Sequence, residues 1–485
     1  MPVNSQRWLA NYLSEVPSLE LQHLRIDSRD VMPGDVFIAL PGTTTDGSLF
    51  IDKALAQGAA LVLTENIHSS DSRVLTIPRL NSVLPKLAAD FYGQPQQQLT
   101  LIGVTGTNGK SSVSSFIAQL AGELGVKSAV IGTLGYGNWQ QLTPLKNTTP
   151  HFVDIQRILA EMVSKGVRLV AMEVSSHALV QKRVAGLHFA AAVFTNLSRD
   201  HLDYHGSMPA YAAAKALLFK PEQSMLAIVN LSDETGRHYA EQMQIPVHAY
   251  GASIDCKSDV QALSYQRLSP KTHGTYCQLK HAAKSYELNL PLLGEFNVQN
   301  ALAAVKCLQA LGHSLSDLIA VAALLQPVAG RMEQYSLKTG ATVVVDYAHT
   351  PDALDQTLRA LRQHCDNHLW AVFGCGGDRD KGKRPIMGQL AEQLADHIIL
   401  TSDNPRSEDP LQILQDIAAG MHPQSNYTIE PDRRSAIKLA IAEAQQGDII
   451  LVAGKGHETE QIMGNQVLHY DERAYVQQLV AEMAS

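Results

Sequence analysis

The stretch "LTLIGVTGTNGKSSVSSFIAQLAGELG", residues 99–125, decides the fold of this chain. An apolar run that predicts a buried strand leads into a glycine-containing turn, and an amphipathic helix follows that ends at Gly122 or Gly125. Strand–helix alternation continues in "RLVAMEVSS" (168–176) and "FAAAVFTNLS" (189–198). The alternation predicts a doubly wound, mostly parallel sheet of the P-loop type at the centre of the chain.

The turn "GVTGTNGKSS" (103–112) has the residue types of a phosphate-binding loop. Glycines let backbone N–H groups approach phosphate oxygens, and the positive end of the following helix attracts the phosphate. Lys110 is expected to reach the β- and γ-phosphates, and the Ser111 hydroxyl to hold Mg²⁺. The strict P-loop pattern has glycine where this chain has Val104, and a glycine-rich turn with a surface lysine is the alternative interpretation. The predicted nucleotide-binding residues of this loop are Gly106, Thr107, Asn108, Gly109, Lys110, Ser111 and Ser112.

The length of 485 residues indicates about three domains. We expect a small α/β N-terminal domain over residues 1–97, a central ATPase domain over 98–327 and a Rossmann-like α/β domain over 328–485. The strand-like pieces "GTYCQLKH" (274–281) and "KSYELNLPL" (284–292) are expected to form an antiparallel extension of the central domain.

Composition excludes several classes of protein. The net charge of −8 gives no electrostatic reason to expect nucleic-acid binding. No apolar run has the length of about 18–20 residues that a membrane span needs. The five cysteines are scattered without a CxxC pair, which argues against disulfides and a structural zinc site and for the cytoplasm. A cytoplasmic protein without a membrane or nucleic-acid partner is therefore expected. We also expect a monomer, which composition does not address.

Metal ligands for a nucleotide are expected after strands that neighbour the phosphate loop. Glu173 ends the apolar run "RLVAMEVSS", and a buried carboxylate is costly unless it is paired or bound to a metal. His201 of "TNLSRDHLDYHG" is either a ligand or an ordinary polar loop residue. Lys215 lies in the predicted helix "YAAAKALLF", where the residues alone predict a stem along the surface and a charge in water.

Four segments of the last domain repeat one arrangement, in which polar residues follow the end of an apolar strand. They are "TVVVDYAHTPDALDQTLRALR" (342–362), "LWAVFGCGGDRDKG" (369–382), "HIILTSDNPR" (397–406) and "DIILVAGKGHE" (448–458). Open α/β sheets bind ligands at the carboxyl ends of their strands. The four loops therefore predict one binding face.

Taken together, "GVTGTNGKSS", "MEVSSHAL", "TNLSRDHLDYHG", "GEFNVQNALAA", "GRME" and "DYAHTPDAL" resemble the Mur ligases of peptidoglycan synthesis, in order and over nearly the whole chain. The resemblance implies an enzyme whose three domains hold a UDP-sugar, ATP with Mg²⁺, and an incoming amino acid. It implies an amide bond formed through an acyl phosphate. The loop reads "KSS" where the family usually has two threonines, and serine keeps the hydroxyl.

The resemblance also assigns roles to single residues. Lys215 matches the family's carbamylated lysine (N6-carboxylysine), whose carboxylate helps to hold a second Mg²⁺, and Asn300, Arg331 and Asp346 match residues around the adenosine. The implied catalytic residues are Lys110, Glu173, His201 and Lys215, and the implied metal ligands are Ser111, Glu173, His201 and the Lys215 carbamate.

The N-terminal stretch "LRIDSRDVMPGDVFIALPGTTTDG" resembles the family members that add the third residue of the peptide. That resemblance places Ile26, Ser28, Thr43, Thr44 and Thr45 at the uridine diphosphate. It places Asn147, Thr148, Thr149, Ser175, Gln181 and Arg183 at the muramoyl dipeptide.

The segment "TSDNPRSEDP" (401–410) contains "DNPR", which resembles the signature of members that add meso-diaminopimelate rather than L-lysine. The two diamines differ by a carboxylate, which the Arg406 fork suits, and Pro405 stiffens the turn. A strand-end turn with a surface salt bridge from Arg406 to Glu408 is the alternative. The residues implied for diaminopimelate are Arg379, Asp403, Asn404, Pro405, Arg406, Gly454 and Glu458.

The expected reaction is the ATP-dependent addition of meso-diaminopimelate to the D-glutamate γ-carboxylate of UDP-N-acetylmuramoyl-L-alanyl-D-glutamate. His201 or a phosphate oxygen is expected to accept the proton of the amine, and the C-terminal domain is expected to be mobile without ligand. Two alternatives are a folylpolyglutamate synthase-like ligase, which should lack the UDP-sugar domain and "DNPR", and a P-loop switch that binds ATP without ligation.

Overall fold

The computed structural model describes residues 2–41, 46–67, 69–252, 261–271 and 273–482. The chain forms two compact units, which comprise Met1–Ala249 with Lys306–Gly312 and Tyr250–Val305 with His313–Ser485. The predicted boundaries at 97/98 and 327/328 stay predictions. No helix among the described residues has both the length and the hydrophobicity that crossing a membrane requires.

The N-terminal part of the first unit is a small α/β layer. Its four parallel strands have the order β3-β4-β5-β6, and the α/β class expected for this part of the chain is confirmed. Leu63, Leu84 and Phe91 are among the residues that form its apolar core. The elements are β1 Val3–Asn4, α1 Ser5–Leu9, β2 Glu20–Leu21, β3 Leu24–Arg25, β4 Val36–Ile38, α2 Ile51–Ala56, β5 Leu61–Thr64, β6 Val74–Thr76 and α3 Leu80–Phe91.

The rest of the first unit is built on a larger sheet. Its elements are β7 Thr100–Thr105, α4 Lys110–Glu123, β8 Ser128–Gly132, β9 Gly135–Asn138, β10 Gln141–Thr143, α5 Phe152–Ser164, β11 Leu169–Glu173, α6 Ser176–Val180, β12 Ala191–Phe194, α7 Leu202–His205, α8 Met208–Ala216, β13 Ala227–Asn230, α9 Glu234–Gln242 and β14 Val247–Ala252. The order is β10-β9-β8-β11-β7-β12-β13-β14.

Within this sheet β8, β11, β7, β12 and β13 are parallel neighbours, whereas β9 and β10 pair antiparallel at one edge. The predicted doubly wound, mostly parallel sheet is confirmed. Because β7 lies between β11 and β12, the loop after β7 has the carboxyl ends of both neighbours beside it. The order of the strands in the sheet therefore brings the residues after Glu173 and Phe194 to the phosphate loop.

The second unit begins with an antiparallel run, β15 Gln261–Lys271, β16 Gly274–His281 and β17 Lys284–Leu290, followed by α10 Glu295–Ala310 and α11 Leu315–Ala322. The two predicted strand-like pieces are β16 and β17, and they pair antiparallel as expected.

The second unit continues as a Rossmann-like sheet, which confirms the predicted class. Its elements are β18 Glu333–Ser336, β19 Thr342–Asp346, α12 Pro351–Arg362, β20 Leu369–Phe373, α13 Lys383–Leu394, β21 His397–Leu400, α14 Pro410–Ala418, β22 Tyr427–Ile429, α15 Arg433–Glu443, β23 Ile449–Ala453, β24 Glu460–Met463, β25 Gln466–His469 and α16 Glu472–Glu482. The order is β18-β19-β23-β20-β21-β22, and β19, β23, β20 and β21 are adjacent and parallel. Their four carboxyl ends therefore meet at one edge, as the four loops predicted.

Candidate active site

The phosphate loop has a backbone that requires glycine at two positions. Gly106 has φ +152°, and a Cβ there would lie 1.8 Å from Thr195 Oγ1. Gly109 has φ +84° and precedes Lys110, the first residue of α4. The predicted strand–turn–helix is therefore present, and it has at the helix N-terminus the backbone N–H groups that a phosphate requires.

Asn196 fixes the shape of this loop from the neighbouring strand end. Its backbone carbonyl accepts from Thr107 N at 2.9 Å, and its Oδ1 accepts from Asn108 N at 3.0 Å. Thr195 Oγ1 donates to Asn108 O at 2.6 Å. Neither residue is among the predicted site residues, although an amide directly after a strand beside the phosphate loop is the signal that identifies Asn196.

Two lysines converge on one carbonyl of the loop. Lys110 Nζ lies 3.0 Å from Gly106 O and 2.8 Å from Thr107 O, and Lys215 Nζ lies 2.7 Å from Gly106 O. Lys215 is 1% exposed and its ammonium lies over the Tyr211 ring at 4.3 Å from the centroid.

The residue-based expectation that Lys215 keeps its charge in water is wrong. The alanines around Lys215 on α8 let the helix pack closely, and the side chain points inward from it. Burial, reinforced by the charge of Lys110, holds the pKa of Lys215 well below its usual value. A buried lysine with a low pKa is rich in the neutral amine, which is the form that reacts with carbon dioxide.

Glu173 is buried at the end of β11, where it is 3% exposed. Its Oε1 accepts from Thr133 N at 2.9 Å and its Oε2 from Thr133 Oγ1 at 3.1 Å. A Cβ on Gly132 would lie 2.1 Å from Glu173 Oε1, so this close approach needs glycine. Thr133, which follows β8, is a contact that sequence reasoning missed, and it compensates part of the cost of burying the carboxylate.

His201 is the most open of the predicted ligands, with 47% of its side chain exposed. It has φ +53°, lies 3.4 Å from Asp200 Oδ2 through Nε2, and its ring centroid is 4.9 Å from that of His177. Among the described residues no three His, Cys, Asp or Glu side chains are grouped so as to hold a metal ion. Mg²⁺ commonly takes one or two carboxylates and keeps several waters, so the hydroxyl of Ser111 and the carboxylate of Glu173 fit this ion.

Five of the six residues expected at the muramoyl dipeptide come together beside Glu173, and the sixth, Asn147, precedes Thr148 in the chain. Thr149 Oγ1 donates to Glu173 O at 2.9 Å and accepts from Ser175 N at 3.0 Å. Arg183 donates to Thr149 O at 3.0 Å and to Gln181 Oε1 at 2.9 Å. Thr148 also belongs to this group, since its hydroxyl lies 3.0 Å from that of Thr133.

A lysine connects this group to the residues expected at the uridine diphosphate. Lys146, next to Asn147, lies 2.8 Å from Asp30 Oδ2 and 3.4 Å from Asp27 Oδ2. Ser28 is buried and lies between those two aspartates in the sequence, and Ile26 precedes them. Lys146 was missed by sequence reasoning. The predicted residues Thr43, Thr44 and Thr45 lie outside the described part of the chain.

Two of the three residues expected at the adenosine share a cluster in the second unit. Asp346 accepts from Met332 N and Ala348 N at 2.8 Å each, and its burial raises the pKa of its carboxyl group. Arg331 lies over the Tyr347 ring at 4.4 Å. The third, Asn300, donates to Asn297 on its own helix α10 at 3.4 Å.

The loop that contains "DNPR" is held in place through its backbone. Arg406 has φ +51°, and its N and O bond to Ile462 O at 3.0 Å and Gly464 N at 2.7 Å, both in the β24–β25 hairpin. Its guanidinium donates to Gly377 O at 2.9 Å. A Cβ on Gly376 would lie 2.9 Å from Arg406 Nη1, so the loop after β20 approaches the guanidinium closely.

The alternative salt bridge from Arg406 to Glu408 is not the arrangement found. Glu408 pairs with Arg384 at 2.9 Å and with Lys381 at 3.1 Å. Arg384 is fully buried and also contacts Asp416 at 2.8 Å and Gly376 O at 3.3 Å. The internal cation therefore ties together the two loops that carry Arg379 and Arg406, and sequence reasoning did not single it out.

The other residues expected at diaminopimelate lie around a buried lysine. Lys455 Nζ is 3.1 Å from Asn404 Oδ1, 3.3 Å from Glu458 Oε2 and 3.6 Å from Asp403 Oδ1. Gly454 adjoins this group, since a Cβ there would lie 3.6 Å from Asp403 Oδ2. Arg379 is exposed at the rim, while Pro405 is buried. Asp403, Asn404 and Glu458, which were expected to contact diaminopimelate, thus also contact Lys455 of the chain itself. Lys455 is not among the residues predicted from the sequence.

Comparison with known proteins covers the whole chain. Three family models match: "Mur ligase family, catalytic domain" over residues 20–92, "Mur ligase middle domain" over 104–308 and "Mur ligase, glutamate ligase domain" over 330–456. A curated relative from Vibrio vulnificus (strain YJ016), UDP-N-acetylmuramoyl-L-alanyl-D-glutamate–2,6-diaminopimelate ligase, is 46% identical over 99% of this chain and 98% of its own length.

Two solved structures extend the comparison. One of a UDP-N-acetylmuramoyl-L-alanyl-D-glutamate–2,6-diaminopimelate ligase is 36% identical, with a TM-score of 0.73 over 100% of both chains. A folylpolyglutamate synthase from Mycobacterium tuberculosis is 20% identical, with a TM-score of 0.59 over 76% of this chain and 91% of its own. The second likeness is one of fold alone.

Proposed function

This chain belongs to the Mur ligase family, and we propose that it adds meso-diaminopimelate to UDP-N-acetylmuramoyl-L-alanyl-D-glutamate at the expense of ATP. The γ-phosphoryl group of ATP passes to the γ-carboxylate of the D-glutamyl residue and leaves ADP. The amine of diaminopimelate then attacks the acyl phosphate, an amide bond forms, and phosphate leaves with the former acyl C–O bond broken.

The observation that carries the choice of substrate is the pocket after β20, β21 and β23. It combines a guanidinium, that of Arg406, with the carboxylates of Asp403 and Glu458. A carboxylate and an ammonium on one carbon atom are the groups that such a pair of charges recognises, and diaminopimelate carries them at the end where L-lysine has only an ammonium. The relative from Vibrio vulnificus, whose name states this reaction, is matched over 98% of its own length and supports the same substrate.

The phosphate end of the reaction lies in the first unit. The N–H groups of the loop and Lys110 hold the phosphates and offset the charge that develops on them during transfer. Mg²⁺, when bound through Ser111, Glu173 and His201, supplies further positive charge there. Mur ligases use ATP in this way, and the backbone conformation at Gly106 and Gly109 supports ATP as the nucleotide.

Lys215 acts in this proposal as a carbamate. Addition of carbon dioxide to the neutral Nζ forms an N–C bond, releases one proton and replaces a cation by a carboxylate, which is an oxygen ligand for the second Mg²⁺. Its burial and the distance of 2.7 Å to the loop carbonyl support this role. Labelling with ¹³C-bicarbonate tests it, because a carbamate carbon signal is expected in the native protein and not in Lys215→Ala, whatever the activity.

The nucleotide-sugar lies along the group that Lys146 connects. Ile26, Ser28 and the threonines Thr43–Thr45 hold the uridine diphosphate, and the dipeptide lies along the strand-end group. That second group consists of Asn147, Thr148, Thr149, Ser175, Gln181 and Arg183. It adjoins Glu173, so the D-glutamyl carboxylate is placed beside the transferred phosphoryl group.

The amine must lose a proton before it attacks. Two acceptors are available, the partly exposed imidazole of His201 and an oxygen of the phosphate. We propose that the enzyme acts as a monomer in the cytoplasm, where ATP and the UDP-linked substrate are available; light scattering at working concentration tests the first point.

The decisive experiment omits one component at a time. ADP, phosphate and a product that is heavier than the UDP-linked substrate by diaminopimelate minus water are expected only when all three substrates are present. Replacing the UDP-linked substrate by a folate tests the folylpolyglutamate alternative. ATP turnover without any acceptor would favour the nucleotide switch, and product from the folate would overturn the proposal.

A further inference from the structure

Lys455 is the most enclosed charged group of the amino-acid pocket. It follows β23, its side chain has no exposed surface, and its ammonium lies among Asp403, Asn404 and Glu458. A fully buried ammonium is costly unless its charge is compensated and its protons are bound. The three partners meet that need, and they are also the residues that face the incoming amino acid in the proposed function.

The contacts of Lys455 decide the orientation of the Asn404 amide. Asn404 Oδ1 accepts from Lys455 Nζ at 3.1 Å and from Ile462 N at 3.0 Å. Both neighbours are donors, so the oxygen of the amide must face them and Nδ2 must face away. Nδ2 then donates to Glu458 Oε2 at 3.0 Å, which fixes the carboxylate as well.

The same lysine sets the charge of the pocket. Apart from the Arg406 guanidinium, which binds the substrate carboxylate in the proposed function, Asp403 and Glu458 contribute two negative charges and Lys455 one positive charge, so the part of the pocket around Lys455 has a net charge of −1. Asp403 Oδ1 is buried and accepts no hydrogen bond from the described residues, so its contact with Lys455 at 3.6 Å is an ion pair without a hydrogen bond. A net charge of −1 matches a single ammonium group.

We propose that Lys455 is a positioning residue for the amino-acid substrate, which holds Asn404 and Glu458 in place and leaves the pocket one unit of negative charge for the substrate ammonium. The inference rests on the proposed function of this pocket. Lys455 does not touch the reacting atoms; it acts through the three residues that it contacts.

Other charged and titratable groups face this network from the surrounding elements. Arg433 on α15 bonds to Ser402 O and Ala453 O and pairs with Glu472, and the Tyr470 ring lies 5.9 Å from Lys455 Nζ. Tyr347 and His349 follow β19, and both have electrostatic interactions with Asp403. These groups are unchanged in a Lys455 variant, so a difference between its KM for diaminopimelate and that of the native enzyme reports the lysine.

The test compares native enzyme with Lys455→Met in the full ligation assay. We expect the KM for meso-diaminopimelate to rise at least about tenfold, while kcat and the KM values for ATP and the UDP-linked substrate change by less than about threefold. Without Lys455 the Asn404 amide and the Glu458 carboxylate lose the donor that orients them, so both contact the substrate ammonium less well.

Two further variants separate charge from structure. Lys455→Gln keeps an N–H donor for Asn404 and loses the charge, so it should fold and show a raised KM for diaminopimelate even if Lys455→Met does not fold. Lys438→Met, which removes an exposed lysine of α15 in the same unit, should behave as the native enzyme in every measurement.

The outcomes distinguish this inference from the proposed function. If the native enzyme makes no product with diaminopimelate, the proposed function fails. If the native enzyme makes product and Lys455→Gln keeps the native KM for diaminopimelate, the function stands and the role of Lys455 is refuted. A loss of kcat with an unchanged KM for diaminopimelate would assign Lys455 a purely structural role and equally overturn the inference.

Discussion

In the proposed function, the phosphate loop and the amino-acid pocket bind their ligands by different means. The loop is one contiguous stretch whose backbone presents N–H groups, and its shape depends on glycines with positive φ such as Gly106. The pocket is built from loops after β20, β21 and β23, and its shape depends on side-chain ion pairs of buried cations, Arg384 and Lys455. A backbone site is therefore sensitive to added atoms, and a side-chain site is sensitive to removed charges.

The largest effect is expected from Gly106→Ala, which adds one methyl group to the backbone site. Its Cβ would lie 1.8 Å from Thr195 Oγ1, so the loop must move and its N–H groups lose their aim at the phosphates. Losing such preorganised donors costs up to about 1000-fold in rate. ATP-dependent phosphate release should fall by about that factor.

Gly125→Ala is the matched control for Gly106→Ala. Gly125 also has positive φ, +79°, but no atom lies within 4 Å of its Cβ position. It should cost about 1–2 kcal/mol of stability and leave phosphate release nearly unchanged. Equal activity of the two variants would show that the loop does not depend on its glycine backbone.

The next effect is expected in the pocket, from Arg406→Lys. Lysine keeps the charge and loses the planar fork that binds a carboxylate through two hydrogen bonds. The KM for meso-diaminopimelate should rise about 30-fold, the equivalent of one charge-assisted hydrogen bond. The preference for diaminopimelate over L-lysine should fall in competition experiments.

Arg359→Lys provides the comparison for Arg406→Lys, because Arg359 pairs with Asp355 on the exposed face of α12. Arg359→Lys should leave the KM for meso-diaminopimelate unchanged. An unaltered preference in Arg406→Lys would remove Arg406 from the recognition of the substrate.

A smaller effect, about tenfold, is expected on the KM for diaminopimelate in Arg384→Met. The variant removes the cation that connects Glu408, Asp416 and Gly376 O, so the loops that carry Arg379 and Arg406 lose their common anchor. The KM for ATP should stay within about twofold of the native value, since the phosphate loop does not use this ion pair. A rise in both KM values would contradict the separation of the two sites.

The smallest effect is on acid stability and involves His364. Gly294 N donates to its Nε2 at 3.0 Å, so Nδ1 carries the proton and lies 2.8 Å from Lys271 O. Burial lowers the pKa of His364 below its usual 6.5. The folded state therefore keeps the neutral ring, and below pH 6.5 the unfolded chain binds a proton that the folded chain does not.

Stability contributed by neutral His364 is thus present above pH 6.5 and is lost as the pH falls toward the lowered pKa. Protonation leaves the Gly294 N–H without an acceptor, which costs about 1 kcal/mol or more. Urea unfolding at pH 7.5 and 5.5 should show a smaller loss of stability in His364→Phe than in the native chain. His469→Gln, a variant on the exposed β25, should lose as much stability between pH 7.5 and 5.5 as the native chain.

The sequence predicted what depends on neighbours along the chain. The strand–turn–helix over 99–125 is contiguous, and the order of strands brings Glu173 to it. The four polar loops of the last domain could be placed at one edge because parallel strands align their ends.

The sequence did not predict what depends on partners far along the chain. Lys215 meets a carbonyl 109 residues away, so its burial has no local signal. Lys455 and Asn404 are 51 residues apart, and an internal lysine among acidic residues looks, in sequence, like a solvated charge. Asn196 and Thr133 were missed for a related reason, because each follows a strand and contacts a loop from another part of the chain.

The most direct measurement is phosphate release by the purified protein with ATP and UDP-N-acetylmuramoyl-L-alanyl-D-glutamate, in parallel with meso-diaminopimelate and with L-lysine. Release that requires the amino acid, with a kcat/KM for diaminopimelate at least about 100-fold above that for L-lysine, is the predicted result. Equal values for the two diamines would contradict the role given to Arg406, and no release with either would contradict the ligase itself.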